Sequence, residues 1–334
     1  MIFLVISTAP VSGQSRLLYD QPQYDNHTNV FSLLDYGAVG DGFTDDTQAF
    51  QEAWNGVCSS SVPSPVLHVH PDKTFLLHPL VLQGPCKSNN ISVEIQGTIV
   101  APSDISEWKC DSDEGTYNCP SWLTFENVND LYIIGGEGKS TIDGRGQKWW
   151  DLSCHKAGCG QLPMMLIVRN SNNVHINHLN IVNSPVMHLI IFSSKWVYIH
   201  NINIEAPKRS PNTDGLHISH SQNVFVYDSH IGTGDDCVSI EDQSSNINID
   251  SISCGPGHGI SIGGLGGGGN TATVEYIHGL RVIGTEESPL VVELAAQTRW
   301  GRQLYHRCDF VDDHDVDSVK KFDRDVYDHE RGSG

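Results

Sequence analysis

Four side chains able to exchange protons recur at regular intervals in the second half of the chain. Asp214 lies 21 residues before Asp235, and Asp236 lies 22 residues before His258. Carboxylates a few ångströms apart raise one another's pKa, so one can stay protonated while another is ionised. Cleavage of a glycosidic bond needs that combination, an acid for the leaving oxygen and a base for water. Each motif alone is typical of an ordinary turn, so the argument depends on the spacing.

A strand-like repeat explains why this spacing matters. Short apolar–polar alternations recur 23, 27 and 23 residues apart, at Val174, Val197, Val224 and Ile247. We expect Val274 to continue the series and Leu131 to stand about two periods before Val174. One such unit is too small to bury its own apolar face, so the repeat predicts a solenoid of stacked units.

Because strands recur with no helices between them, we predict an all-β parallel β-helix of roughly 20–27 residues per coil. A β-sandwich with coincidental spacing is the alternative fold. The amphipathic segment Asp45–Trp54 is expected to form a short helix that caps the N-terminal end. Asp214, the Asp235–Asp236 pair and His258 then occupy three successive rungs about 4.8 Å apart.

Adjacent strand residues point to opposite faces, so Asp235 and Asp236 need a local bend to share one site. Gly232 and Gly234 permit such a bend at a corner of the coil. We therefore expect both carboxylates to face one groove.

The composition limits the class of protein. With 38% apolar and 18% charged residues and 32 glycines, the chain favours many strands and turns over a helical bundle. Its formal net charge of −20 argues against partners such as nucleic acid and anionic membranes. No apolar run reaches the roughly 18–20 residues that cross a bilayer. We expect a monomer.

Nine cysteines indicate an oxidising compartment, and none has a metal-ligand spacing such as CxxC. Cys308 is left over from four neighbouring pairs, although sequence does not fix the connectivity. The pairs are Cys58/Cys86, Cys110/Cys119, Cys154/Cys159 and Cys237/Cys254. N-glycosylation sequons begin at Asn26 and Asn90. Residues 1–14 are typical of the apolar part of a signal peptide without its basic start. Secretion to the extracellular space or cell wall is expected.

Three motifs in order carry a family resemblance. SPNTDG at 210–215, GDDC at 234–237 and GHGISIG at 257–263 resemble those of plant polygalacturonases, glycoside hydrolase family 28. The resemblance extends from about Phe31 to Glu286. It implies a right-handed parallel β-helix and an inverting hydrolase that cuts α-1,4-linked galacturonan in pectin. No metal or other cofactor is implied.

The resemblance also implies roles for single residues. Asp235 matches the general acid, and Asp214 and Asp236 match the pair that holds and activates water. His258 matches the histidine that tunes the acid. Asn212 matches a residue that orients the cleft.

Other residues complete the expected site. Cys237 and Cys254 match a disulfide that clamps the catalytic rungs. Further candidates for contact with the substrate are Lys208, Arg209, Gly257 and Ser261.

One part of the family pattern is missing. The family carries an Arg-Ile-Lys triplet shortly after a segment like Gly284–Glu286, and its cations grip the substrate carboxylates. Here no such triplet follows. We expect a β-helix domain at 31–286, shortened by a change of reading frame or splicing, and then an irregular acidic tail at 287–334.

Four functions remain open from sequence. The first is an active polygalacturonase, and the second is an impaired or inactive relative that at most binds pectin. The third is a β-helical pectate lyase, which would use an arginine base and Ca²⁺. A purely structural β-helix is the fourth, and it leaves the stack of carboxylates and imidazole unexplained.

Overall fold

A computed structural model describes residues 29–113, 116–136, 140–152, 160–265, 272–284, 292–294, 303–311 and 319–324. In these ranges the chain winds as a parallel β-helix, in which each strand pairs with its counterpart in the next coil. This confirms the predicted all-β solenoid. The possible signal peptide, Asn26 and the Cys154/Cys159 pair lie outside the described residues.

One side of the coil is formed, among the described residues, by eight short parallel strands that we call the short sheet. Its strands are Leu80–Gln83, Leu123–Glu126, Leu166–Arg169, Leu189–Phe192, Leu216–Ser219, Val238–Ile240, Ile260–Ile262 and Val292–Leu294. Leu189, Leu216, Val238 and Ile260 are aligned rung over rung. All four side chains are fully buried, so this column forms part of the core.

The remaining sides belong to the long sheet, which has 17 strands in the described ranges. Its strands are Val30–Ser32, Asp41–Asp45, Val66–Val69, Thr74–Leu76, Ile91–Ile95, Thr98–Val100, Leu131–Gly135, Thr141–Asp143, Asn172–Asn177, Asn180–Val182, Lys195–His200, Asn203–Glu205, Gln222–Gly232, Ser244–Cys254, Ala272–Gly284, Gln303–Val311 and Val319–Arg324. From Gln222 onward a single long strand turns the corner that two shorter strands form in earlier coils.

The register confirms part of the sequence repeat. Val174, Val197, Val224 and Ile247 are paired in successive coils, as their spacing predicts. Their side chains are fully buried. The apolar column is therefore the structural unit that the sequence repeats.

Two expectations about this repeat are wrong. Val274 pairs with Ser244, and it is Ile277 that continues the column above Ile247. Val274 and Ile277 are both fully buried, so the apolar pattern alone does not distinguish them. Leu131 pairs directly with Val174 in the adjacent coil, because one coil is enlarged by the segment that follows Thr141–Asp143.

Val274 occupies a position that holds a buried serine in earlier coils. Ser171, Ser194 and Ser221 directly precede the strands of three successive coils, and Ser244 is the first residue of the strand in the next coil. All four are at most 3% exposed. The Ser194 hydroxyl accepts from the Ser171 N–H at 3.2 Å, and that of Ser221 accepts from the Ser194 N–H at 3.1 Å. These bonds satisfy backbone donors at a buried corner.

A helix at Thr47–Ser59 covers the first coils, which confirms the predicted cap. Its buried face consists of Ala49, Phe50, Ala53, Trp54 and Val57. The Trp54 ring meets Phe125 edge to face at 5.6 Å, and its indole N–H donates to the Gln83 carbonyl. An aromatic side chain therefore closes the end of the core.

Smaller elements complete the described chain. They are a helix at Gln147–Trp150, 3-10 helices at Leu33–Tyr36 and Ile105–Trp108, and a three-stranded sheet of Asp111–Asp113, Thr116–Asn118 and Gly160–Gln161. Among the described residues no helix has the length and apolar character needed to cross a membrane.

The expectation of an irregular tail is wrong for three segments. Val292–Leu294 continues the short sheet, and Gln303–Val311 pairs in parallel with the strand Ala272–Gly284. Val319–Arg324 then pairs antiparallel with Gln303–Val311. The acidic composition of the whole tail hid local alternations such as QLYHRCDFV, which can add to the edge of the preceding coil.

Candidate active site

Asp235 and Asp236 lie in the corner between the strands Gln222–Gly232 and Val238–Ile240. Neither residue is in a strand, so the alternation that would separate their side chains does not apply. The Asp236 N–H donates to the Asp235 carboxylate at 2.9 Å. The corner thus explains how two adjacent carboxylates can share one site.

Gly234 is required here for a different reason from the one expected. A Cβ at this position would lie 2.0 Å from the Ser210 carbonyl oxygen of the coil below. Two backbones approach closely at this corner. Position 234 therefore needs glycine, because no side chain larger than a hydrogen atom fits there. The Gly234 N–H also donates to the Thr213 hydroxyl at 3.1 Å.

Backbone hydrogen bonds join the three rungs that hold the candidate residues. The Gly215 N–H donates to the Asp236 carbonyl at 2.8 Å, next to Asp214. One rung further on, the His258 N–H donates to the Asp235 carbonyl at 2.9 Å. The predicted stacking of Asp214, the aspartate pair and His258 is therefore built into the register.

The exposed side of the site contains an imidazole–carboxylate pair. His258 Nδ1 lies 3.1 Å from Asp235 Oδ1, and the two side chains are 65% and 22% exposed. Asp236 has a different partner, because its carboxylate accepts from the Ser261 hydroxyl. Ser261 thus contacts a carboxylate of the site.

Asp214 is the buried carboxylate of the cluster, with 7% of its surface exposed. Its pKa is raised from 3.8 to about 6, mainly by burial and also by the nearby charges of Asp235 and Asp236. A hydrogen bond from Ser239 and the charge of His217 act in the opposite direction. The cluster therefore contains a carboxyl that changes charge near neutral pH.

His217 and Ser239 were not found from the sequence. They are register partners in the short sheet, and His217 Nδ1 lies 2.9 Å from the Ser239 hydroxyl oxygen. Their separation of 22 residues equals that between Asp236 and His258. The same coil-spacing argument, applied to neutral and weakly basic residues, would have found them.

His188 is a second buried histidine missed in the sequence. It is fully buried, and burial lowers its pKa to about 4. The Ser184 N–H donates to Nε2, so the proton lies on Nδ1, which donates to the Asp214 carbonyl at 3.0 Å. A neutral imidazole therefore fixes the backbone under Asp214.

The other predicted contacts lie around this corner. Lys208, Arg209 and Asn212 are exposed in the turn before Asp214, and Asn212 has a positive φ of 54°. Gly257 lies against the backbone, since a Cβ there would be 2.5 Å from the Asp235 carbonyl oxygen.

The disulfides support three of the cysteine pairs. Cys237–Cys254, Cys58–Cys86 and Cys110–Cys119 are bonded. Cys237 directly follows Asp236, so the first of these bonds ties the corner of the aspartate pair to the next coil. Asn90 is exposed at the start of the strand Ile91–Ile95.

One group in the described chain has the residue types of a metal site. Ligand atoms of Asp235, Asp236 and His258 lie within 4.8 Å of one another. The Asp235 carboxylate contacts the His258 imidazole and accepts from the Asp236 N–H, and the Asp236 carboxylate accepts from the Ser261 hydroxyl. The arrangement suits proton transfer between neighbouring groups.

Comparisons with known proteins place the chain. A probable polygalacturonase of Arabidopsis thaliana is 43% identical over 250 residues, which is 75% of this chain and 51% of that protein. A polygalacturonase of Persea americana is 42% identical over 77% of this chain and 53% of its own length. The chain therefore spans about half the length of these curated relatives.

The solved structure of an endo-xylogalacturonan hydrolase from Aspergillus tubingensis has the same architecture. Its TM-score is 0.69 at 25% sequence identity, over 85% of this chain and 73% of that one. The family model of the glycosyl hydrolases family 28 matches residues 58–288, which include the whole carboxylate corner. The chain belongs to glycosyl hydrolase family 28.

Proposed function

We propose that the chain hydrolyses α-1,4-galacturonosyl bonds of pectin with inversion of configuration. The observation that carries the proposal is the corner in which Asp214, Asp235, Asp236 and His258 occupy three hydrogen-bonded rungs. Membership of family 28 and the polygalacturonase relatives support the substrate class.

Exposure supports separate roles for the three carboxylates. Asp235 is partly exposed and hydrogen-bonded to His258, so it can reach the leaving oxygen of a bound chain as general acid. An acid on the open side of the corner is what the reaction requires.

We assign the attacking water to Asp214 and Asp236. Each accepts a serine hydroxyl, from Ser239 and Ser261 respectively, and for Asp214 this hydrogen bond favours the ionised form. An inverting enzyme keeps room for water between acid and base. As the pH falls through the Asp214 pKa, activity should be lost, because the base becomes protonated.

Reducing-end release from polygalacturonate tests the function. Asp235→Asn should lower kcat about 10²- to 10⁴-fold, because a general acid typically contributes that factor. Asp228→Asn is the matched control, since Asp228 is an exposed aspartate at another corner of the coil. The first product detected by NMR should be the β-anomer.

Other products would indicate other functions. An ultraviolet-absorbing unsaturated product that disappears with a chelator would identify a lyase and overturn the proposal. Equal rates for Asp235→Asn and Asp228→Asn would remove Asp235 from the role of acid.

A protein that binds pectin without cutting it is the second candidate. The rung above Ile260–Ile262 reads Val-Glu-Leu, with Glu293 as register partner of Ser261, and not Arg-Ile-Lys. The Val-Glu-Leu triplet contains no cationic residue, whereas the triplet expected from the family contains an arginine and a lysine. Binding of polygalacturonate without reducing-end release would favour this candidate.

We infer an extracellular site of action, at the plant cell wall. Three disulfides and an exposed sequon at Asn90 support it. The proposed partner is the pectin polysaccharide itself, bound by a monomer.

A further inference from the structure

The outer face of the short sheet carries a row of polar side chains beneath the carboxylates. His217, Ser239 and Ser261 are register partners in three successive strands. Ser239 bonds to Asp214, and Ser261 bonds to Asp236. Each of the two carboxylates that we assign to hold the water therefore accepts a hydrogen bond from its own serine. The two serines lie one rung apart.

The Ser239 hydroxyl has two partners and only one proton. It hydrogen-bonds the Asp214 carboxylate, and its oxygen lies 2.9 Å from His217 Nδ1. An ionised carboxylate has no proton to give, so the hydroxyl donates to Asp214. The serine oxygen must then accept, which places a proton on His217 Nδ1.

The second nitrogen of His217 fixes the ring from the other side. Nε2 lies 3.5 Å from a carboxylate oxygen of Glu241, and the side chain of His217 is 10% exposed against 39% for Glu241. The imidazole is thus held between Ser239 and Glu241. The charged groups acting on Asp214 are His217, Asp235 and Asp236.

We propose that His217, acting through the Ser239 hydroxyl, is the positioning residue that orients the Asp214 carboxylate toward the hydrolytic water. The Nδ1–H occupies one lone pair of the serine oxygen, so a serine proton pointing at His217 would meet a second proton, and it turns toward Asp214 instead. This proposal rests on the proposed function for the identity of the reaction. It adds a series of side-chain contacts to the site, which leads from Glu241 through His217 and Ser239 to Asp214.

The burial of Asp214 explains why this carboxylate needs such a series of contacts. Asp236 is half-buried and bonds to Ser261, whereas Asp214 is 7% exposed and has little water to stabilise its charge. A buried carboxylate stays ionised only with hydrogen bonds of fixed direction. His217 supplies that direction.

Carboxyl titration by NMR tests the proposal without relying on activity. The protein is labelled with ¹³C at the aspartate carboxyl carbons, and the Asp214 signal is assigned by its loss in Asp214→Asn. Ser239→Ala and His217→Leu should each raise the Asp214 midpoint by about one pH unit, because the ionised form loses a directed hydrogen bond.

A conservative variant separates positioning from packing. His217→Asn places an amide N–H near the position of Nδ1 and should keep the midpoint close to that of the wild type. An unchanged midpoint in His217→Leu would overturn the proposal. If His217→Leu does not fold, Ser239→Ala is compared with Ser239→Thr, because threonine keeps the hydroxyl. Equal Asp214 midpoints in these two variants would also overturn the proposal.

Kinetics on polygalacturonate give a second readout. In Ser239→Ala and His217→Leu the acid limb of the kcat profile should move upward with the midpoint, while KM changes less than about twofold. A rise in KM with an unmoved acid limb would contradict positioning. If the wild-type protein does not hydrolyse polygalacturonate but the variants still shift the Asp214 midpoint, the proposed function is overturned. The positioning of Asp214 by His217 and Ser239 is then still supported.

Discussion

At the scale of single residues, the site contains a carboxylate that works against the stability of the fold. Asp214 has a pKa of about 6 in the folded protein, compared with an ordinary value of 3.8. Ionising this carboxyl therefore costs more free energy in the folded than in the unfolded protein, which lowers stability. The cost is absent below pH 3.8 and fully present above pH 6. In the proposed mechanism, this loss of stability accompanies the role of Asp214 as a base.

We expect Asp214→Asn to abolish hydrolysis and to stabilise the protein at pH 7. The neutral amide avoids burying a charge, so the free energy of unfolding should rise by on the order of 2 kcal/mol. Chemical denaturation at pH 7 and at pH 3.5 measures the gain, which should disappear at the lower pH. A variant less stable than the wild type at pH 7 would contradict this account.

At the scale of elements, a stack of rings runs across four rungs of the long sheet. Tyr132, His175, Tyr198 and Phe225 are register partners in successive strands, with ring centroids 4.6, 4.8 and 5.2 Å apart. The strand separation sets these distances, so every coil presents its ring at stacking distance from the next. The stack holds adjacent coils in register.

The stack contains a group that titrates. The pKa of His175 is lowered to about 4, mainly by burial and also by the neighbouring His200. The unfolded chain binds a proton at about 6.5, so His175 removes stability as the pH falls from 6.5 toward 4.

His175→Phe keeps a ring in the stack and removes the titration. We expect a shallower loss of thermal stability between pH 6.5 and 4 than in the wild type, measured by the melting temperature. His175→Ala is the control, because it removes the ring and should be less stable at every pH. Parallel curves for His175→Phe and wild type would exclude His175 as a source of acid sensitivity.

The repeat allowed much of the fold and the core of the site to be predicted. Val174, Val197 and Val224 are buried in one column, and a column is visible in the sequence as a period. Coil spacing then brought Asp214 and His258 to neighbouring rungs. The Ser239–His217 contact has the same coil spacing, but serine and histidine are common in turns and carry no fixed charge, so neither residue type marks a site by itself.

Other details depend on backbone contacts that leave no period. The enlarged coil before Leu166 hid the direct pairing of Leu131 with Val174. Val274 takes the place of a buried serine, which only the register reveals. The acid composition of the tail likewise carried no information about which of its segments find a strand partner.

At the scale of the whole molecule, charge opposes the proposed substrate. The chain has 40 acidic and 20 basic residues, and its formal net charge is −20. Polygalacturonate is a polyanion, so long-range repulsion slows its approach. Salt screens such repulsion, with a Debye length of about 10 Å at 0.1 M.

We therefore expect KM for polygalacturonate to fall as NaCl is raised from about 20 to 200 mM, because repulsion is screened. Initial rates at fixed pH measure the change. Highly methyl-esterified pectin, which carries few charges, is the matched control and should show little salt dependence. A KM that rises with salt would indicate a local cationic contact stronger than the overall repulsion.

The disulfide beside the aspartate pair has a consequence for how the molecule is made. Cys58–Cys86 and Cys110–Cys119 join cysteines 28 and 9 residues apart, and all four precede Cys237 in the sequence. The partner of Cys237, Cys254, follows 17 residues later. Each of these bonds can therefore close without waiting for a distant part of the chain, and the corner of the aspartate pair can be secured as soon as residue 254 has been made.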